Sequence, residues 1–115
     1  MVTNVANREV DGVSVVTPYG RIVFGEGSNA VREKVKSLID EGKKQIVLDM
    51  KNIDYIDSSG LGALVAAHLS ANTQGAAMRL CNLGRKFSKV LQLTKLMTVF
   101  QVYSTEAAAV ASFSK

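Results

Sequence analysis

In the run Gln45-Ile46-Val47-Leu48-Asp49-Met50, every residue after Gln45 except Asp49 is apolar, on both alternating faces. A strand tolerates that pattern when both faces of its sheet are covered, so the run predicts a buried strand in a sheet packed by helices. Behind it stands Asp57-Ser58-Ser59-Gly60-Leu61-Gly62, which opens the helical spacing of Leu61, Leu64, Val65 and Leu69. The serine-glycine cluster therefore follows the carboxyl end of a strand, where α/β sheets build their sites.

The rest of the chain alternates in the same way. Residues 8–10 and 13–17 are split by Asp11-Gly12, a favoured two-residue turn, and predict a hairpin. Pro18 and Gly20 interrupt its second strand before Ile22-Val23-Phe24. A helix follows, with Ser28 as N-cap, an apolar stripe at Val31, Val35, Leu38 and Ile39, and Gly42 just past its end. A short strand at 78–81 precedes a helix from about Arg85, with Phe87, Val90 and Leu91 on one face. Residues 99–103 predict a last strand, and Ser104 the cap of an alanine-rich terminal helix. Strands alternating with helices imply an α/β fold whose sheet is partly parallel, with the hairpin as its antiparallel element. No repeat, low-complexity tract or linker divides the 115 residues, so 1–115 is expected to be a single domain.

Composition narrows the function classes. The single cysteine, Cys81, excludes an internal disulfide framework and a multi-cysteine zinc site, and suggests a reducing compartment. No N-terminal stretch resembles a signal peptide and no run approaches the roughly 20 apolar residues of a membrane span, so a cytoplasmic protein is expected. The net charge of +4 rests largely on Arg79, Arg85, Lys86, Lys89 and Lys95. These lack the interleaved aromatics of a single-strand binding surface, and read as a solvated, partly partner-facing helix surface.

The cluster at 57–62 has chemistry of its own. Ser and Asp cap helices because their side-chain oxygens accept from free first-turn N–H groups, and the two glycines leave the backbone uncovered. The positive end of the helix dipole would tolerate a phosphate on a serine there. A hydrolytic role is excluded, because the only histidine, His68, stands ten residues along the same helix from Ser58, about 15 Å away. The G-x-S-x-G elbow is also absent. His68 reads as a half-buried helix residue and Cys81 as a small buried hydrophobe.

Two phosphate-binding patterns come near. Gly20 to Gly25 has P-loop spacing, but Glu26 stands where lysine is required. Gly25-Glu26-Gly27-Ser28-Asn29-Ala30 fits G-x-G-x-x-A before a helix, with Asp49 24 residues after Gly25, which keeps a nucleotide-binding protein as the alternative. Asp49, Asp54 and Asp57 suggest magnesium only in the presence of a phosphate motif, and otherwise read as strand-end and turn carboxylates.

The segment Ile46-Val47-Leu48-Asp49-Met50 with Ile53-Asp54-Tyr55-Ile56-Asp57-Ser58-Ser59-Gly60-Leu61-Gly62 resembles the signature of the STAS domain family, specifically bacterial anti-sigma factor antagonists. The likeness extends to Gly20-Arg21-Ile22, to Met78 through Leu83, and to Leu91 through Leu96 with Val99-Phe100. It implies a small mixed β-sheet with helices packed mainly on one face. It also implies a binding module, not an enzyme, that needs no cofactor or metal. The serine directly after the aspartate, Ser58, is the implied phosphorylation site, with Ser59 the alternative acceptor. Asp57, Ser58, Ser59, Gly60, Leu61 and Gly62 would form the partner surface. The implied partners are an anti-sigma factor serine kinase with a histidine-kinase-like ATPase fold and a PP2C-type phosphatase. The unphosphorylated form would sequester the kinase and free the sigma factor, without direct contact to nucleic acid or membrane. A structural STAS subunit of a larger regulatory assembly is the other role the resemblance allows.

Overall fold

The computed structural model describes residues 4–22, 26–95 and 98–113. Strands β1 (Asn4–Val10) and β2 (Val13–Ile22) form the expected hairpin, and Asp11 and Gly12 take the positive φ values, 51° and 81°, that a type I′ turn demands. Then follow α1 (Glu26–Asp40), β3 (Gln45–Asp49), β4 (Ile53–Ile56), α2 (Ser58–Thr73), β5 (Ala77–Cys81), α3 (Arg85–Leu93), β6 (Gln101–Tyr103) and α4 (Glu106–Ala111). The sheet runs β1-β2-β3-β5-β6, with β4 paired to β2. Among the described residues only the β1–β2 pair is antiparallel.

The topology fixes where the helices lie. Successive parallel strands are added in one direction from β2, and right-handed crossovers in such a series fall on one face of the sheet. Accordingly α1, α2 and α3 share a core with Val16, Ile46, Leu48, Met78 and Leu80. The terminal helix α4 covers the opposite face, where Ala109 and Val110 meet Val13, Val15, Val47 and Cys81. Arg8 pairs with Glu106, and Arg79 bonds Ser112 while its guanidinium lies 3.9 Å from the Phe113 ring centroid, so polar contacts hold both ends of α4.

Several boundaries depart from the sequence reading. Pro18 and Gly20 do not interrupt β2. Val5 is the β1 partner of Pro18, and on the other edge β3 pairs with Ser14–Val16 while β4 begins opposite Gly20. Pro18 thus sits in the gap between two partner strands, where its missing N–H breaks no ladder bond. Ser28 is not the N-cap of α1, because the helix already begins at Glu26, and Gly27 is tolerated in a first turn whose N–H groups need no intrahelical partner. The helix does end as expected. Lys43 N–H donates to Leu38 O and Gly42 N–H to Ile39 O, a Schellman closure with Gly42 at φ +89°. Residues 99 and 100 precede β6 and lie outside it, and Thr105, not Ser104, caps α4 by accepting from Ala108 N–H. Val23 and Phe24 fall outside the described residues.

Cys81 is fully buried under α4, and burial first, then the Asp49 carboxylate, pushes its thiol from 9.0 up to about 12. It should stay unreactive to alkylating reagents at pH 8 in the native state and become labelled on unfolding, as read by intact mass. Prompt labelling without denaturant would contradict this burial. Between pH 9 and 12 the unfolded thiol loses its proton while the folded one retains it, so this group stabilises the fold below pH 9 and that contribution falls as pH rises through the window.

Candidate functional site

The site is built where β4 hands the chain to α2. The turn at 50–53 closes with Ile53 N–H donating to Met50 O, and Gly20 N–H donates to Asn52 O, so the chain leaving β3 is carried onto the vacant edge of β2. Gly20 takes φ +96° beside an irregular register, the backbone freedom this jog requires.

The buried carboxylate of Asp49 organises the start of that turn. Its Oδ1 accepts from Lys51 N–H at 3.1 Å and from the Asn82 side chain at 3.0 Å, which ties the end of β3 to the end of β5. Lys51 Nζ lies 3.9 Å from Oδ2. Asn82 holds φ +55°, a conformation asparagine tolerates better than most residues. The sequence reading assigns no role to Asn82, whose positive φ and tertiary contact leave no local pattern.

Asp57, not Ser58, is the N-cap of α2. It has extended backbone angles, its Oδ1 accepts from Gly60 N–H at 2.7 Å, and its carbonyl accepts from Leu61 N–H at 2.9 Å. Ser58 and Ser59 therefore occupy the first two helical positions, N1 and N2, and the cap bond is made by the Asp57 carboxylate. Ala71, Ala67, Leu64 and Leu61 carry the buried stripe of the helix. Gly62, Ala66 and Leu69 lie exposed at helical spacing, with Leu69 at 54% of its free area. The position of Ser58, four residues before Gly62, heads this stripe. No Asp, Glu, Lys or Arg occurs from Ser58 to Thr73, so the helix presents a small-residue, uncharged surface.

Gly62 is a position where alanine would cost nothing sterically, since an added Cβ meets no atom within 4 Å. Alanine there should stabilise the fold by about 0.5–1 kcal/mol, because glycine inside a helix carries the larger entropy loss. The expected readout is a raised urea midpoint for Gly62→Ala, and a lowered one would contradict the open surface.

The other candidates separate from this site. His68 is half-buried on the same continuous helix, with its ring 5.3 Å from that of Phe100 and its Nε2 3.3 Å from the Asn72 amide nitrogen, so it is no partner for Ser58. The nucleotide-binding alternative loses its geometry. Glu26 to Ala30 already wind as α1 and form no loop, Gly25 lies outside the described residues, and Asp49 is inaccessible to a ribose. Among the described residues no cluster of three His, Cys, Asp or Glu could hold a metal. No helix there is long and apolar enough to cross a membrane.

Comparison with known proteins accords with this geometry. The chain is 28% identical over 90 residues to the anti-sigma F factor antagonist of Paenibacillus polymyxa, covering 74% of this chain and 77% of that protein. Its fold superposes on an anti-sigma factor antagonist from Mycobacterium paratuberculosis with a TM-score of 0.86, at 21% identity over 98% of this chain and 95% of the other. It also matches the Bacillus cell fate determinant SpoIIAA in its phosphorylated form, with a TM-score of 0.72 at 20% identity over 96% and 99% of the two chains. The sequence model of the STAS domain matches residues 4–109, and with its mixed sheet and strand-to-helix serine cluster the chain belongs to the STAS domain family.

Proposed function

We propose that this chain is a cytoplasmic, non-enzymatic anti-sigma factor antagonist whose binding to a kinase partner is switched by phosphorylation of Ser58. The observation that carries the reading is the head of α2. The cap there is supplied by the Asp57 carboxylate, which leaves the N1 position available for modification without loss of that bond, and the surface that follows is small, exposed and uncharged at Gly62 and Ala66. Such a surface lets a partner approach the backbone closely. The names of the curated relative and of the fold neighbours support the same reading, since one relative is called an anti-sigma F factor antagonist and one neighbour is recorded in a phosphorylated form.

In this reading the unphosphorylated module captures an anti-sigma factor serine kinase of the histidine-kinase-like ATPase type and frees the sigma factor. Phosphoryl transfer to Ser58 ends the capture, and a PP2C-type phosphatase restores it. Intact-mass measurement after incubation with the kinase and ATP tests the acceptor. One phosphoryl group is expected on the parent chain and none on Ser58→Ala. Transfer that persists in Ser58→Ala and disappears in Ser59→Ala would move the site to Ser59.

A further inference from the structure

Concave patches on this molecule differ in how their charges are compensated. The groove between α1 and α2 is lined by Arg32, Glu33 and Lys36, opposite charges on one rim, and Lys36 bonds Asp40 at 3.2 Å. In the hollow on the outer face of the hairpin, Arg8 is taken by Glu106 and Lys51 stands near the Asp49 carboxylate. The pocket between β4 and α3 is different. It encloses about 340 Å³, with buried Met50 and Phe87 as its floor and Ile53, Ile56 and Val90 along its sides. Exposed Arg85 lines it too, and among the described side chains it forms no ion pair.

We propose that this pocket binds a single-chain carboxylate, the anionic head on Arg85 and the alkyl chain on the Met50–Phe87 floor. The volume sets the chain length. At about 30 Å³ per water-sized group, 340 Å³ holds a chain of roughly eight to ten carbons. The guanidinium selects the head, because its planar fork matches a carboxylate with two parallel hydrogen bonds. The start of α3 adds positive potential at the same wall. Its N-cap, Gly84, has no side chain to satisfy the first-turn N–H groups and also lines the pocket. No Asp or Glu stands among the described lining residues to repel the anion.

Calorimetric titration of the full chain with hexanoate, octanoate and decanoate below their micellar concentrations tests the pocket. Each added methylene should tighten binding about fourfold until the pocket is filled near decanoate. Arg85→Gln should weaken decanoate about tenfold or more, and decanol should bind the parent chain as weakly as decanoate binds that variant. Val90→Phe, which fills the pocket, should abolish binding. If Val90→Phe fails to fold by circular dichroism, the chain-length series and Arg85→Gln, a surface substitution, decide the matter. Absence of heat at millimolar decanoate, or equal affinity in parent and Arg85→Gln, overturns the assignment. So does a protein partner that Val90→Phe blocks while no carboxylate binds.

Discussion

Leu64→Ala should destabilise the chain by about 3–5 kcal/mol, a large share of the roughly 5–15 kcal/mol that holds a domain of this size together. Leu64 is fully buried in the larger core and lies on the stripe by which α2 meets the sheet and α1. Truncation loses the transfer free energy of its methyl groups and leaves a cavity in a cluster whose other members, Val35 on α1 and Leu48 on β3 among them, are held by their own elements and cannot collapse freely into it. At about 4 °C per kcal/mol for this length, the thermal midpoint should fall by roughly 10–20 °C. Leu69→Ala is the control. Leu69 lies on the same helix but is 54% exposed, so its truncation should stay within about 0.5 kcal/mol. Urea denaturation followed by circular dichroism separates the two, and a Leu64→Ala loss below about 1 kcal/mol would show that α2 is not anchored through this stripe.

What could be read from the sequence, and what could not, divides along locality. The hairpin, the buried strand at 45–49 and the stripes of α1 and α3 are written in neighbouring residues, where period and turn chemistry act directly. β4 is not. Its four residues, Ile53–Ile56, are separated from β3 by only three residues and become a strand because β2 continues beyond the point where β3 leaves it. The same vacancy explains why Pro18 sits unharmed inside β2, against its usual meaning as a strand breaker. At the site, the opening of a helix at the serine cluster is legible from its cap residues, but the strand directly before it is β4, not the predicted run at 45–50. The choice of Asp57 over Ser58 as cap is not legible, because both residue types fill that role and a one-residue shift lies within the scatter of helix boundaries. The G-x-G-x-x-A pattern misleads for a related reason. Glycines before a helix can also be glycines within its first turn, and Gly27 is one of these.

Phosphorylation of Ser58 should change partner affinity by orders of magnitude while leaving the thermal midpoint of the isolated chain nearly unchanged. Within the chain, the added charge of about −1.5 to −2 stands at the positive end of α2, where an anion gains about 0.3–1 kcal/mol. The Asp57 carboxylate one residue away opposes that gain. The two effects are similar in size, so the fold should register little. Across an interface nothing comparable offsets the charge, because α2 carries no Lys or Arg to pair with it and a dianion brought into contact loses its water. Taking a complex from 99% to 1% bound requires about 5.5 kcal/mol, and desolvation of several kcal/mol together with like-charge repulsion reaches that range. Ser58→Asp places a single charge at the position and should give a partial loss, on the order of tenfold to a hundredfold. Ser58→Ala should bind the kinase as the parent does and resist release by ATP. Pull-down with the two variants, paired with their melting curves, gives both halves of the comparison. Full retention of the partner by Ser58→Asp, or a Ser58→Asp midpoint lowered as far as that of Leu64→Ala, would place the switch in the stability of the fold or elsewhere on the surface.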